Sequence, residues 1–141
     1  MDCTLTSITT ILNTGDPAET YNQVETVAKK YFYHPKIGTN FFCIKPILNA
    51  LTGKKTHSGF LKNLGYSWND ITTTIQEKRP IILSMWNDGK NYYKKHSVLI
   101  VGYAEYNDGA IKMLMVYDNW YRSVSYVDFN KLSLISSINY I

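Results

Sequence analysis

The sequence predicts an α+β fold in which a helical front packs on an antiparallel β-sheet, and three observations carry that prediction. Up to Lys78 the apolar residues recur at three- and four-residue intervals. From Pro80 onward they gather into short runs rich in β-branched and aromatic residues, and the tripeptide Asn-Asp-Gly interrupts those runs at 87–89 and 107–109. A helical period followed by compact apolar runs between turn signals reads as helices first and strands second.

Leu5, Ile8, Ile11 and Leu12 fall on one face of a helix that begins near Cys3. Its threonines (Thr4, Thr6, Thr9 and Thr10) are weak helix formers, so packing must hold it, and Asp2 is placed to cap its start. The second helix opens with Asp16-Pro17-Ala18-Glu19, which combines a cap, a first-turn proline and a third-position acid. Tyr21, Val24, Ala28, Tyr31 and Phe32 continue it at helical spacing. A third helix is expected to start near Cys43, because Pro46 is tolerable only in a first turn, and to stop at Gly53. Ser67 caps a fourth helix through Ile71 and Ile75, which Pro80 ends.

Strands are expected at 81–86, 97–103, 112–117 and 123–127, then one helical turn capped by Asp128, and a closing edge strand at 136–140. No repeat or low-complexity linker interrupts them, so the expectation is one domain over residues 1–141. Met1-Asp2-Cys3 is an abrupt opening, as in a domain cut from a longer precursor.

Composition removes several function classes. At 141 residues and 45% hydrophobic, the chain suffices for one compact core. No apolar run approaches the roughly 18 residues of a membrane span, and nothing at the start reads as a signal peptide. The charge of +4 comes from lysines in ones and twos, such as Lys29-Lys30, Lys54-Lys55 and Lys94-Lys95. These read as solvated faces, and no basic stripe with stacking aromatics marks a nucleic-acid surface. Two cysteines exclude a disulfide scaffold and a four-cysteine zinc site, and a Cys3–Cys43 bridge is disfavoured.

The chemistry concentrates at three residues. His96 opens the apolar strand His-Ser-Val-Leu-Ile-Val-Gly-Tyr, and the next strand runs out into Val116-Tyr117-Asp118-Asn119-Trp120. A histidine and a carboxylate at neighbouring strand ends supply a general base and the group that orients it, and Cys3 at a helix start is the matching nucleophile. Closing the hairpin with a three-residue loop at Asn107-Asp108-Gly109 makes Tyr106 face Ala110. That register puts His96 opposite Trp120 and diagonal to Asp118, roughly 7–8 Å apart between backbones, with Asn119 on the other face, whereas a one-residue slip hands the role to Asn119. His34 and His57 read as surface residues, Cys43 as a small buried hydrophobe, and Asp88 and Asp108 as turn residues. Trp86, Trp120 and Asp88 are expected near the cleft, the two tryptophans shaping a substrate groove.

These residues resemble the papain-like cysteine peptidases, and within them the compact bacterial branch typified by the bacteriocin leader-processing peptidases. The resemblance rests on a cysteine at the start of the first long helix, His-x-Val-x-Ile-x-Gly-Tyr from His96, Asp-x-Trp from Asp118, and Arg79-Pro80-Ile81-Ile82, where that branch commonly has Gly-Arg-Pro-Val-Ile. It implies Cys3 as nucleophile, His96 as general base and Asp118 as orienting residue, acting without metal or organic cofactor on a peptide or protein substrate. It also favours a secreted or cell-surface bacterial protein over a cytoplasmic one. Two positions depart from the pattern. Thr4 and Leu5 stand where the family usually has glycine and proline, and only Met1 and Asp2 precede the cysteine, where it usually has an oxyanion-hole glutamine. The glutamine then lies in a removed segment, or the donors are the Cys3 backbone N–H and another group. A cysteine acyltransferase would use the same three residues, a catalytically degenerate binding module would keep the fold without the reactivity, and a structural or inhibitory domain would leave Cys3 merely exposed.

Overall fold

The structure, a computed structural model, describes residues 2–12, 15–86 and 95–141. Four helices lead: α1 (Cys3–Leu12), α2 (Pro17–Lys29), α3 (Phe41–Thr52) and α4 (Trp68–Gln76). Between α3 and α4 runs a short strand, β1 (His57–Phe60), and the remaining strands follow as β2 (Ile81–Trp86), β3 (Lys95–Tyr106), β4 (Ile111–Tyr117), β5 (Ser125–Asp128) and β6 (Ser136–Tyr140). All six form one antiparallel sheet in the order β1-β6-β2-β3-β4-β5. The expected α+β architecture, helices packed on an antiparallel sheet, is the one present.

Strand alternation divides the core in two. Ile82 and Leu99 face Leu5, Ile8, Val24, Ala28, Ile44, Ile47 and Leu48 of the first three helices. Their strand neighbours Ile81, Leu83, Val98 and Ile100 point the other way, into a cluster with Ile71 of α4, Tyr66, Phe129 and Leu132. Both sheet faces are thus covered, which is why 81–86 reads as a continuous apolar run instead of alternating. Burial pushes the Tyr66 phenol up to about 12, and its hydroxyl pairs with Ser136.

The caps follow the sequence. Asp16 accepts from the Ala18 N–H, Ser67 and Asp70 form a capping box, Gly53 closes α3 in the left-handed conformation, and Asp128 caps the 3₁₀ turn Phe129–Lys131. Four expectations need correction. The second helix stops at Lys29, and Phe32, with φ 64° and 89% exposed, has left it. The third begins at Phe41 under an Asn40 cap, so Pro46 lies inside it and not in its first turn; one ladder hydrogen bond is forgone there while Ile44, Ile47 and Leu48 keep their burial. His57, read as a surface residue, is partly buried in β1 and stacked on Tyr140. Strand 136–140 is interior, because β1 pairs along its outer side. The turn expected at 87–89, with Asp88, lies outside the described residues.

The hairpin loop is one residue longer than expected: Tyr106 pairs with Ile111, and Asn107, Asp108 and Gly109 all take positive φ. Asparagine and aspartate tolerate that conformation, so the turn spends three left-handed residues where a type I turn would spend only the glycine. The extra residue is taken back at Val101, where a β-bulge separates the pair Ile100–Val116 from Gly102–Met115. A side chain at Gly102 would meet the Met115 sulfur at 3.0 Å, a tight contact that the methionine would have to relieve by shifting. Beyond the bulge Leu99 pairs with Tyr117, the expected register, and β4 ends there.

Candidate active site

The N-terminus of α1 rests on the ends of β2 and β3. Asp2 caps it, its carboxylate accepting from the N–H groups of Thr4 (2.9 Å) and Leu5 (3.0 Å), while its own N–H donates to the Tyr21 hydroxyl of α2 at 3.1 Å. Under the first turn runs a buried line of hydroxyls, with Thr4 to Ser97 at 2.8 Å and Ser97 to Ser84 at 2.9 Å. The Ser97 N–H donates to the Cys3 sulfur at 3.3 Å. Position 97 therefore locks the helix to the sheet through its side chain and the thiol through its backbone. Ser97→Ala is expected to lower stability by about 1–3 kcal/mol, since two buried hydroxyls lose a partner, and urea unfolding measures it.

Cys3 and His96 lie near enough to shift each other's titration through a side-chain hydrogen bond and their charges, although 93 positions separate them. Burial raises the Cys3 thiol, but the His96 hydrogen bond, the Ser97 N–H and the imidazole's charge outweigh it, leaving the thiol below its ordinary value. For His96 burial acts downward, and the Cys3 hydrogen bond, the Asp118 backbone and the charges of Cys3 and Asp118 more than reverse it. Opposite shifts on two partners favour a thiolate–imidazolium pair. Cys43 is half-buried, a free thiol like Cys3, and burial alone raises it.

His96 is held on two sides. Its Nε2 donates to the Asp118 main-chain oxygen at 2.6 Å, and its ring stacks on Trp120 with centroids 4.3 Å apart. A carbonyl oxygen can only accept, so Nε2 carries hydrogen and Nδ1 is the basic nitrogen left for the thiol. The sequence reading makes the Asp118 carboxylate the group that orients His96; the hydrogen bond from Nε2 is accepted by the main-chain oxygen of that residue instead. The buried Asp118 carboxylate holds the turn that follows, accepting from the N–H groups of Trp120 (3.0 Å) and Tyr121 (3.1 Å) and from the Ser125 hydroxyl (3.0 Å).

Asn119 lies past the end of β4 and does something the sequence did not reveal. Its amide donates to the Cys3 carbonyl at 3.2 Å and the Ser7 hydroxyl at 3.0 Å, tying the strand end back onto α1. Its φ of 66° aims it there. Ser97 also went unread, though a serine inside His-Ser-Val-Leu, one position from His96 and on the opposite face, was the available signal.

Openings lie on both sides of the Cys3–His96 pair. One is lined by Asp2, Tyr21, Glu25, Tyr33, Lys36 and Trp120, the other by Thr4, Thr39, Phe41, Met85 and Lys95. Trp86 stands beside the second, edge-on to Phe41 with centroids 5.5 Å apart. His34 is exposed on the loop after α2. No helix among the described residues is long and apolar enough to cross a membrane.

Residues 2–134 match the family model described as the Peptidase_C39 like family. No curated protein matches the chain.

Proposed function

Because this chain belongs to the Peptidase C39-like family, we propose that it cleaves a peptide or amide bond through a thioester acyl-enzyme, with Cys3 as nucleophile, His96 as general base and acid, and Asp118 as the residue that orients His96. The observation that carries this reading is the hydrogen-bonded Cys3–His96 pair with its opposed pKa shifts.

The Cys3 thiolate attacks the substrate carbonyl, and electrons move onto its oxygen. That oxygen would be met by the Cys3 N–H at the positive end of α1. Protonated His96 gives its Nδ1 proton to the departing amine as the C–N bond breaks, leaving a thioester. Water then attacks the thioester, His96 takes its proton, and the carboxylic acid leaves as the thiolate returns. Through both halves Asp118 keeps Nε2 protonated and the ring in place. Trp120 covers the imidazole, and Trp86 flanks the cleft as a substrate-contacting residue.

Iodoacetamide at pH 6 is expected to modify Cys3 at least about tenfold faster than Cys43, since thiolate fraction falls tenfold for each unit by which pKa exceeds pH. Peptide mapping of the alkylated chain reads the order; equal rates or the reverse would remove the nucleophile. Incubation with a peptide library, with mass spectrometry of the products, tests the reaction itself. New carboxyl termini are expected, and amide products with an added amine would mark an acyltransferase instead.

A further inference from the structure

The first turn of α1 leaves one backbone donor unused. Asp2 accepts from the Thr4 and Leu5 N–H groups through its carboxylate and from the Thr6 N–H through its carbonyl, and its own N–H donates to the Tyr21 hydroxyl. The Cys3 N–H has no acceptor among the described residues, and its residue lines both openings. An unpaired amide beside the thiol, at the positive end of a ten-residue helix, is one half of a site for developing negative charge. A second donor has to come from elsewhere in the fold.

Tyr21 stands where that donor is needed. In α2 it shares a face with Val24 and Ala28, and its ring packs against the core those two residues join. The ring is thereby fixed, and the hydroxyl reaches the backbone next to Cys3, accepting from the Asp2 N–H at 3.1 Å. Tyr21, Cys3 and His96 line one cavity of about 690 Å³. A tyrosine hydroxyl both donates and accepts, and here it accepts from Asp2 while no described group accepts its hydrogen. The Asp2 N–H also polarises the phenol and makes its O–H a better donor. Other hydroxyls at the helix start are engaged: Thr4 shares a hydrogen bond with Ser97, and Thr39 donates to the Asp2 carboxylate at 3.4 Å.

We propose that Tyr21 is a catalytic residue, the second hydrogen-bond donor to the oxyanion formed when Cys3 attacks the substrate carbonyl. As the sulfur bonds to the carbonyl carbon, one electron pair of the C=O bond moves onto oxygen, which receives the Cys3 N–H and the Tyr21 O–H. The phenol keeps its proton throughout. When the pair returns to remake C=O, the C–N bond breaks and the amine leaves with the proton from His96. Attack of water on the thioester passes through the same two donors. The proposal deepens the acyl-transfer reading and rests on it, because without attack by Cys3 there is no oxyanion to hold.

Two small reagents that need no recognition of a peptide separate the roles. p-Nitrophenyl acetate turns a thiolate into its acetyl thioester through a tetrahedral oxyanion and releases p-nitrophenolate, whereas iodoacetamide alkylates it by displacement at a saturated carbon and forms no oxyanion. In the full chain at neutral pH, Tyr21→Phe is expected to lower the rate of Cys3 acylation about tenfold or more and to leave Cys3 alkylation within about twofold. A residue that only supported the Cys3–His96 pair would move both rates together. That result, or acylation untouched by the substitution, overturns the proposal.

A ring-fluorinated tyrosine introduced at position 21 keeps the size and the hydroxyl, so it decides the matter even if Tyr21→Phe fails to fold. Fluorine lets a phenol ionise at lower pH, and a phenolate cannot donate. Asp2, Glu25, Tyr33, Lys36 and His96 face the same opening, and dividing acylation by alkylation cancels their influence on the thiolate. The ratio is expected to fall at lower pH in the fluorinated chain than in the unmodified one; coincident profiles overturn the proposal. The two readings fail distinguishably. If neither reagent prefers Cys3 to Cys43 in the unmodified chain, the nucleophile is lost and Tyr21 with it. If both prefer Cys3 and Tyr21→Phe changes neither rate, only the role of Tyr21 is removed.

Discussion

Replacing His96 with alanine is expected to lower kcat/KM by at least about 10³-fold and to move the alkylation curve of Cys3 to higher pH. The two effects share one cause. With the imidazole present, its hydrogen bond and charge hold the Cys3 thiol below its ordinary value against the upward pull of burial. Removing it leaves burial as the largest influence, so the thiol rises and the thiolate fraction at neutral pH falls. Below the new midpoint the alkylation rate drops tenfold per pH unit, whereas the unmodified chain should still react there. Turnover falls further than alkylation does, because the leaving amine also loses its proton donor. A His96→Ala chain that folds, by circular dichroism, and keeps the original alkylation profile would show that the pair is not what activates the thiol.

Asp118→Ala should cost more than Asn119→Ala, in both stability and turnover. The Asp118 carboxylate accepts three hydrogen bonds within the turn that presents its own carbonyl to His96. Its loss is expected to destabilise the chain by about 2–4 kcal/mol in urea unfolding, since a buried charged acceptor of several donors disappears. Turnover should fall on the order of 10²-fold, the scale at which small misplacements of a catalytic group act. The His96 pKa should also move down, because the Asp118 charge helps to hold it up. The alkaline limb of the kcat/KM profile, where the imidazolium loses its proton, would then shift to lower pH, a change that loss of stability alone does not produce. Asn119→Ala removes donation to Cys3 O and Ser7 Oγ and places alanine at a left-handed position, with an expected cost of about 1–2 kcal/mol. The order would reverse if tethering α1 mattered more than holding the imidazole.

Much of the fold could be read from local chemistry. Asp16-Pro17, Ser67 with Asp70, Gly53 and Asp128 each act within a few residues of themselves, and each ends or starts an element where the sequence placed it. Pro46 misled, because a proline's penalty is local while the burial of Ile44, Ile47 and Leu48 that outweighs it belongs to the tertiary core. Strand β1 escaped for a similar reason: His57-Ser58-Gly59-Phe60 has little strand character and is held by pairing with β6, its distant neighbour in the chain.

At the site the sequence by itself determined which groups were available: a thiol at a capped helix start, an imidazole at a strand start, and a carboxylate just past the end of the next strand. Only the tertiary structure decided how they work. The bulge at Val101 restored the register that the longer loop had shifted, and no local pattern reveals a bulge whose cause is the match between two strands. The turn after β4 decided that Asp118 meets His96 Nε2 through its carbonyl, with its carboxylate bound to the N–H groups behind it. Asn119 and Ser97 became supports of Cys3 only once α1 lay across the strand ends. A residue's chemical type is written in the chain, but the partner that completes it comes from elements far apart in sequence, and only packing brings those together.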